Sequence, residues 1–279
     1  VFFFLSVIVL TAFIAMSVPA KPARLRIARE TTSALPDVNF SEQGNVRFMH
    51  LGTEWVQGSM WIDRPYDIEL EYVQRMMAWL LFVEDLAQVP QLQVMQLGLG
   101  AATLTKFCRK KLQMHTTAIE INPQVIAACR FWFKLPADDA KLKVVLADAA
   151  EAVRRPEWVG RFTALQVDLY DHEAAAPVLD SEAFYADCHA LLGEGGCMTV
   201  NLFGQAHQYP ESLELIAAAF GRDAVWMFKP TKDGNTIVLA QASPSRPSRE
   251  QLEARAAEIQ SRWGLPAAKW LKAFKPIGI

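Results

Sequence analysis

Three things are missing from this chain: charge of one sign, clustered cysteines and any internal repeat. The 279 residues carry a net charge of −2 and a pI near 6.3. Bulk electrostatics therefore give no reason to expect a nucleic-acid partner. The four cysteines, Cys108, Cys129, Cys188 and Cys197, stand far apart, with no C-x-x-C pair and no neighbouring histidine pair. That spacing argues against a zinc site or a disulfide framework, so they read as reduced core residues of a cytoplasmic protein, and no metal is expected. Without a repeat, a chain of this length can bury one sizeable α/β core and a small accessory piece.

Charge is also absent from residues 1–20, an apolar leader long enough to span a bilayer. Lys21, Arg24, Arg26 and Arg29 follow it, as cytoplasmic-side charges follow an inner-membrane anchor. A secretory signal would carry positive charge before its apolar stretch, and none is there. Met16 opens a third reading, a soluble start that leaves the first fifteen residues outside the working protein. The three readings stay open, and a membrane partner is expected only if the leader is a real anchor.

What is present centres on Gln93–Asn122. The apolar run Val94–Leu97 reads as a buried strand, and Gly98-Leu99-Gly100-Ala101-Ala102 as a loop opening the helix Thr103–Lys111. A second strand, Thr117–Ile121, carries Glu120 about 20 residues beyond the glycines, the layout of a nucleotide-binding βαβ unit. Small residues let backbone approach a ligand, the helix N-terminus offers free N–H groups, and a carboxylate can hold both ribose hydroxyls. The glycine pattern alone leaves the ligand class open.

Residues 21–45 are polar and read as a linker, and residues 46–66 as a β-hairpin element, Val46–Leu51 and Val56–Ile62. Asp67–Leu86 follows as a helix with Leu70, Val73, Met77, Leu80 and Leu81 on one face. Asn122 and Pro123 start the next helix. Strands at Leu142–Leu146, Phe162–Val167 and Cys197–Leu202 then alternate with helices at Ser181–Leu192 and Pro210–Phe220. Ala224–Phe228 and Thr236–Ala240 are too close for a crossover and should pair antiparallel. The expected fold is an α/β doubly wound, mostly parallel sheet with a reversed edge strand, over residues 67–243. Residues 244–279 form a helical tail, whose helix Ser248–Trp263 carries a capping box at Ser248 and Gln251.

In open sheets of this kind ligands bind beyond the carboxyl ends of the strands. Three such ends carry acids: Glu120, Asp148 with Ala149 beside it, and Asp168. Together they suit a ribose, an adenine amino group and a cationic centre. Asp148 has a plainer role open to it as a helix cap. Asp171 and His172 follow Asp168 in a loop, where His172 reads as a surface residue.

At these residues the chain resembles the spermidine synthase (polyamine aminopropyltransferase) family. The likeness runs from about Val46 to Ala240 through V-Q-G (Val56–Gly58), Glu71-Tyr72, L-G-L-G-A-A, A-I-E-I-N-P, A-D-A and D-L-Y-D, in order. It implies a small β element fused to a methyltransferase-like domain, and the transfer of an aminopropyl group from decarboxylated S-adenosylmethionine to putrescine or a related amine. No prosthetic group is implied. It places Gly98, Gly100, Ala101, Glu120, Asp148 and Ala149 on the nucleoside, Asp168 as base, and Tyr72, Asp171 and Lys232 around the acceptor. A homodimer is a further implication.

The departures fall on the acceptor side. The family's G-G-G-D-G-G loop has Gly100 where an aspartate grips the aminopropyl ammonium. Val73 stands for Gln or His, His172 for proline, and Lys232 for the tyrosine of P-T-Y-P-S-G. Gly100 keeps a second reading in view, a methyltransferase using intact S-adenosylmethionine on a small molecule. A non-catalytic binding module is a third reading. A dinucleotide oxidoreductase is disfavoured by Asp148 and the terminal hairpin.

Overall fold

A computed structural model describes residues 35–170, 179–203 and 209–278. The chain divides into two units, Val1–Ala34 and Leu35–Ile279, and the described elements all belong to the second. The apolar leader and Asp171 with His172 lie outside the described residues. Among the described residues no helix is long and apolar enough to cross a membrane.

The described chain opens with a three-stranded antiparallel sheet: β1 (Val38–Gln43), β2 (Val46–Leu51) and β3 (Gly58–Trp61). The region read as linker thus contains a strand. β1 is almost wholly exposed, so its residues carry no apolar run. Its turn is Gly44-Asn45 with Gly44 at φ 58°, a two-residue hairpin signal placed ahead of the strands the apolar pattern marks.

The expected long helix over Asp67–Leu86 is the second correction. The structure has a short α1 (Glu71–Arg75) and then two 3₁₀ segments, Ala78–Phe82 and Leu86–Gln91. The apolar residues are buried as their spacing requires, but the backbone leaves the α-helix at Met76. There the Met76 carbonyl accepts hydrogen bonds from Gln166 Nε2 (3.2 Å) and Thr199 Oγ1 (3.1 Å) on the sheet, instead of serving the next helical turn. Pro90 removes another backbone donor in the second 3₁₀ segment.

The main sheet follows the expected alternation. Its strands are β4 (Gln93–Leu97), β5 (His115–Glu120), β6 (Leu142–Leu146), β7 (Phe162–Val167), β8 (Leu192–Phe203), β9 (Val225–Phe228), β10 (Asn235–Gln241) and β11 (Phe274–Pro276). The helices are α2 (Thr103–Lys110), α3 (Pro123–Trp132), α4 (Ala149–Ala152), α5 (Glu182–Leu191), α6 (Tyr209–Phe220), α7 (Arg249–Trp263) and α8 (Ala267–Trp270). The spatial order is β11-β9-β10-β8-β7-β4-β5-β6, with β6, β5, β4, β7 and β8 mutually parallel.

The reversed strand does not lie at the edge. β10 runs antiparallel between β8 and β9, and the tail read as helical contributes β11, antiparallel to β9. Phe274 stacks on Phe228 at 4.5 Å and leans on Trp226 at 5.2 Å, which is why a tail this short joins the sheet.

One apolar layer packs α2, the segment 76–89 and α7 against one face of the sheet, around Trp79, Phe107 and Ile259. A second packs α5 and α6 on the other, around Leu165, Tyr185, Cys188 and Ile216. A side chain such as Trp79, 1% exposed, contributes on the order of 3 kcal/mol by burial. All four cysteines are buried and free, as their spacing indicates. The chain order reverses between β4 and β7, and doubly wound sheets open their ligand crevice at that reversal.

Candidate active site

Two strand ends build this crevice. Gly98 leaves β4 at φ 88°, and its N–H donates to the Ile119 carbonyl (3.0 Å). A Cβ at position 98 would lie 2.2 Å from the Asp168 carbonyl oxygen, so only glycine lets the ends of β4 and β7 approach this closely. That approach sets Asp168 against the glycine loop.

Gly100, at φ 48°, meets a different neighbour. A Cβ there would lie 2.6 Å from the backbone oxygen of Gln57, just before β3. One residue on, a Cβ built on Gly58 would fall 2.7 Å from Ala101 N. Thr103 Oγ1 also donates to the Ser59 carbonyl (2.7 Å). The small sheet is thus seated directly on the loop. The same seating leaves no space for a side chain at position 100.

Glu120 ends β5 with both carboxylate oxygens engaged. Oε2 accepts from Leu99 N (3.0 Å) and Oε1 from Asn122 N (2.8 Å). Burial pushes its pKa up, and the backbone N–H groups of Asn122, Leu99 and Ile121 pull it partly back. Each oxygen keeps a second lone pair, so the carboxylate can both fix the loop and accept ribose hydroxyls. The Gln57 Nε2 group, at the seam between small sheet and loop, is buried with no hydrogen-bond partner among the described residues. A buried N–H of that kind calls for an acceptor from a ligand or water.

Asp148 is exposed and caps α4, accepting from Ala150 N (2.7 Å), while Ala149 is buried behind it. The capping role is therefore occupied, and the second carboxylate oxygen is available to a ligand amino group.

Asp168 lies just past β7, partly buried. Its Oδ1 accepts from Asn201 Nδ2 (2.9 Å) and its Oδ2 from the Tyr72 hydroxyl (3.2 Å). Burial raises the Asp168 pKa, and these two donors oppose the rise. Burial first, then the neighbouring carboxylate, holds the Tyr72 phenol well above its ordinary value, so Tyr72 remains a donor. Tyr72 and Asp168 are 96 residues apart in sequence, and α1 and β7 bring them together.

The structure adds two residues that sequence reasoning passed over. Asn201 stands near the end of β8, and its Oδ1 accepts from Asn235 Nδ2 (3.1 Å) at the start of β10. Asn235 is held in turn by Thr231, whose N–H donates to the Asn235 carbonyl (2.8 Å) and whose Oγ1 accepts from Asn235 N (3.1 Å). The available signal was an asparagine inside a buried strand, a residue that demands a partner. Lys232, next to Thr231, is exposed.

A small-residue loop, an acid on the neighbouring strand and a partly buried acid across the reversal together line a crevice at the strand ends of a methyltransferase-like α/β fold. No family model matches the chain. It is 33% identical over 253 residues to the polyamine aminopropyltransferase of Neisseria meningitidis serogroup A, covering 90% of this chain and 93% of that protein. It is 34% identical over 256 residues to the enzyme of the same name from Chromobacterium violaceum, covering 91% and 95%. Among solved structures, a probable spermidine synthase from Corynebacterium glutamicum superposes with a TM-score of 0.66 at 18% identity, covering 86% of this chain and 87% of that one. The chain belongs to the polyamine aminopropyltransferase family, a family of transferases.

Proposed function

We propose that this protein transfers the aminopropyl group of decarboxylated S-adenosylmethionine to a small amine, putrescine or a related one. The observation that carries the reading is Asp168, partly buried between Tyr72 and Asn201 and set against the glycine loop by Gly98. Glu120 takes the ribose and Asp148 the adenine amino group.

The amine lone pair attacks the carbon next to the sulfonium. A C–N bond forms, the C–S bond breaks, and sulfur keeps the electron pair as a neutral thioether nucleoside. The ammonium proton passes to the Asp168 carboxylate. Because the leaving group is already charged, alignment supplies most of the acceleration and the base supplies the rest. Asn201 and Tyr72 keep Asp168 charged and aimed; Asn235 and Thr231 hold Asn201.

The test is release of the thioether nucleoside from decarboxylated S-adenosylmethionine and an amine. Asp168→Asn is expected to lower kcat by about 100-fold or more, with nucleoside affinity retained. Undiminished turnover in that variant would remove Asp168 from the mechanism.

A second reading rests on Gly100. With no anion on the loop, intact S-adenosylmethionine meets no charge repulsion there and methyl transfer becomes the competitor. Calorimetry with both nucleosides separates the two: tighter binding of the decarboxylated form supports aminopropyl transfer, and tighter binding of the carboxylated form supports the methyltransferase.

A further inference from the structure

The D-L-Y-D stretch carries a hydroxyl that the proposed chemistry leaves unused, that of Tyr170. It acts where two strands part. The last registered pair of the parallel strands β7 and β8 is Val167 with Val200. β8 runs on to Phe203, paired on its other side with β10. On that side the Gly196 carbonyl accepts from Ala242 N–H (2.8 Å). Backbone groups alternate sides along a strand, so those of Asn201 and Phe203 face away from β10 and towards β7.

With the ladder ended, these groups need another partner. Tyr170 supplies one from its side chain. Its hydroxyl donates to the Asn201 carbonyl (2.9 Å) and accepts from Phe203 N–H. A backbone rung of a parallel ladder does the same, donating to one residue and accepting from the residue two further on.

The residue fixed in this way is the one that orients the acid. Asn201 Nδ2 donates to Asp168 Oδ1 (2.9 Å), while the Tyr72 hydroxyl donates to Oδ2 (3.2 Å). Towards β4 the Asp168 backbone is secured directly, its N–H donating to the Leu97 carbonyl (3.0 Å). Towards β8 the connection runs through the side chains of Asn201 and Tyr170. Tyr72 feels the charge of Asp168 and, more weakly, that of Tyr170, so three titratable groups share this corner.

We infer that Tyr170 is a positioning residue: its hydroxyl pins the backbone of Asn201 and Phe203 to the end of β7 and so aims Asn201 Nδ2 at the Asp168 carboxylate. The inference rests on Asp168 as the base of the proposed transfer, and Tyr170 acts on that base through Asn201.

Tyr170→Phe isolates the hydroxyl, since the ring can keep its edge-on contact with Phe203 (6.2 Å). In the full chain, with decarboxylated S-adenosylmethionine and putrescine, it should lower kcat about ten-fold while the nucleoside KM stays within about two-fold. Asn201 favours the charged form of Asp168, so loosening it should move the acid limb of the pH–rate profile to higher pH. In an Asn201→Leu background the same change should cost nothing further, because both act through one hydrogen bond. An acid limb that stays in place, or losses that multiply in the double variant, overturns the inference. A merely structural tyrosine would lower the melting temperature and leave the limb where it was.

Two measurements are independent of turnover. In the unaltered protein Phe203 N–H should exchange slowly, although the ladder with β7 ends at Val200, and free exchange there overturns the clamp. Carbon-13 NMR of the aspartate carboxyls should show Asp168 titrating at higher pH in Tyr170→Phe than in the parent. That shift, in a parent that turns over no amine, keeps the clamp and sinks aminopropyl transfer. Turnover with an unmoved Asp168 titration sinks the clamp and leaves aminopropyl transfer standing.

Discussion

Asp168 has two named donors, and each has a readable consequence. Burial raises its pKa while Asn201 and Tyr72 restrain the rise, so with Asp168 as the proposed base the acid limb of a pH–rate profile should report the balance. Replacing Asn201 by leucine removes a donor that favours the charged form. The limb should therefore move to higher pH, and Tyr72→Phe should move it the same way. A limb that stays in place in both variants would separate these residues from the base. A second buried group lies outside the site: Lys106, 1% exposed, donates to the Phe133 carbonyl (2.8 Å) at the end of α3. Burial lowers its pKa to about 7 from 10.5. Between those values the unfolded chain binds the extra proton, so stability rises with pH. Chemical denaturation should show Lys106→Met losing a gain of about 1 kcal/mol between pH 7 and pH 8 relative to the parent. Taking the difference between the two proteins cancels the buried thiols, whose raised pKa values act in the opposite direction at higher pH.

At the scale of elements, the glycine loop and the small sheet form one joint. Gly100→Ala places a methyl group against the Gln57 carbonyl at a positive φ, and a loss of about 1–3 kcal/mol is expected in thermal or chemical unfolding. Gly100→Asp restores the family's acid in name only: it meets the same carbonyl, so it should weaken nucleoside binding. Tighter binding of decarboxylated S-adenosylmethionine by that variant would show that the joint opens. These elements differ in how far their residues announce them. β4 to β7 and α2, α3 and α5 were legible because apolar runs, Asn122-Pro123 and Ser181 are local signals. Glu120, Asp148 and Asp168 were legible as acids at strand ends; the contact of Tyr72 with Asp168 was not, because it joins residues 96 apart in sequence. β1 was not legible, because an exposed edge strand needs no apolar residues. The α1 segment misled, because its helical spacing is real but the sheet captures the Met76 carbonyl. Asn201 and Asn235 were passed over because their value lies in each other and in Asp168, contacts that local sequence does not contain. The steric exclusion at Gly100 belongs to the same class, since it depends on Gln57 far away in sequence.

Across the whole molecule, the small sheet is seated on the glycine loop, so the proposed nucleoside binding there should be linked to the seating of that sheet. A nucleoside present at about 100 times its Kd should add about 2.7 kcal/mol to stability. Hydrogen exchange in residues 56–61 should slow when it binds. Unchanged exchange there would place the ligand away from the joint. The tail has a consequence of another kind. β9 presents Val225, Trp226, Met227 and Phe228 to its neighbour, and β11 is the strand that meets it. A nonsense change after α7 would spare every residue of the crevice yet uncap a sticky ribbon, inviting the next molecule to polymerise onto it. A genetic screen that scored only chemistry would miss that lesion; it would surface as inclusion bodies.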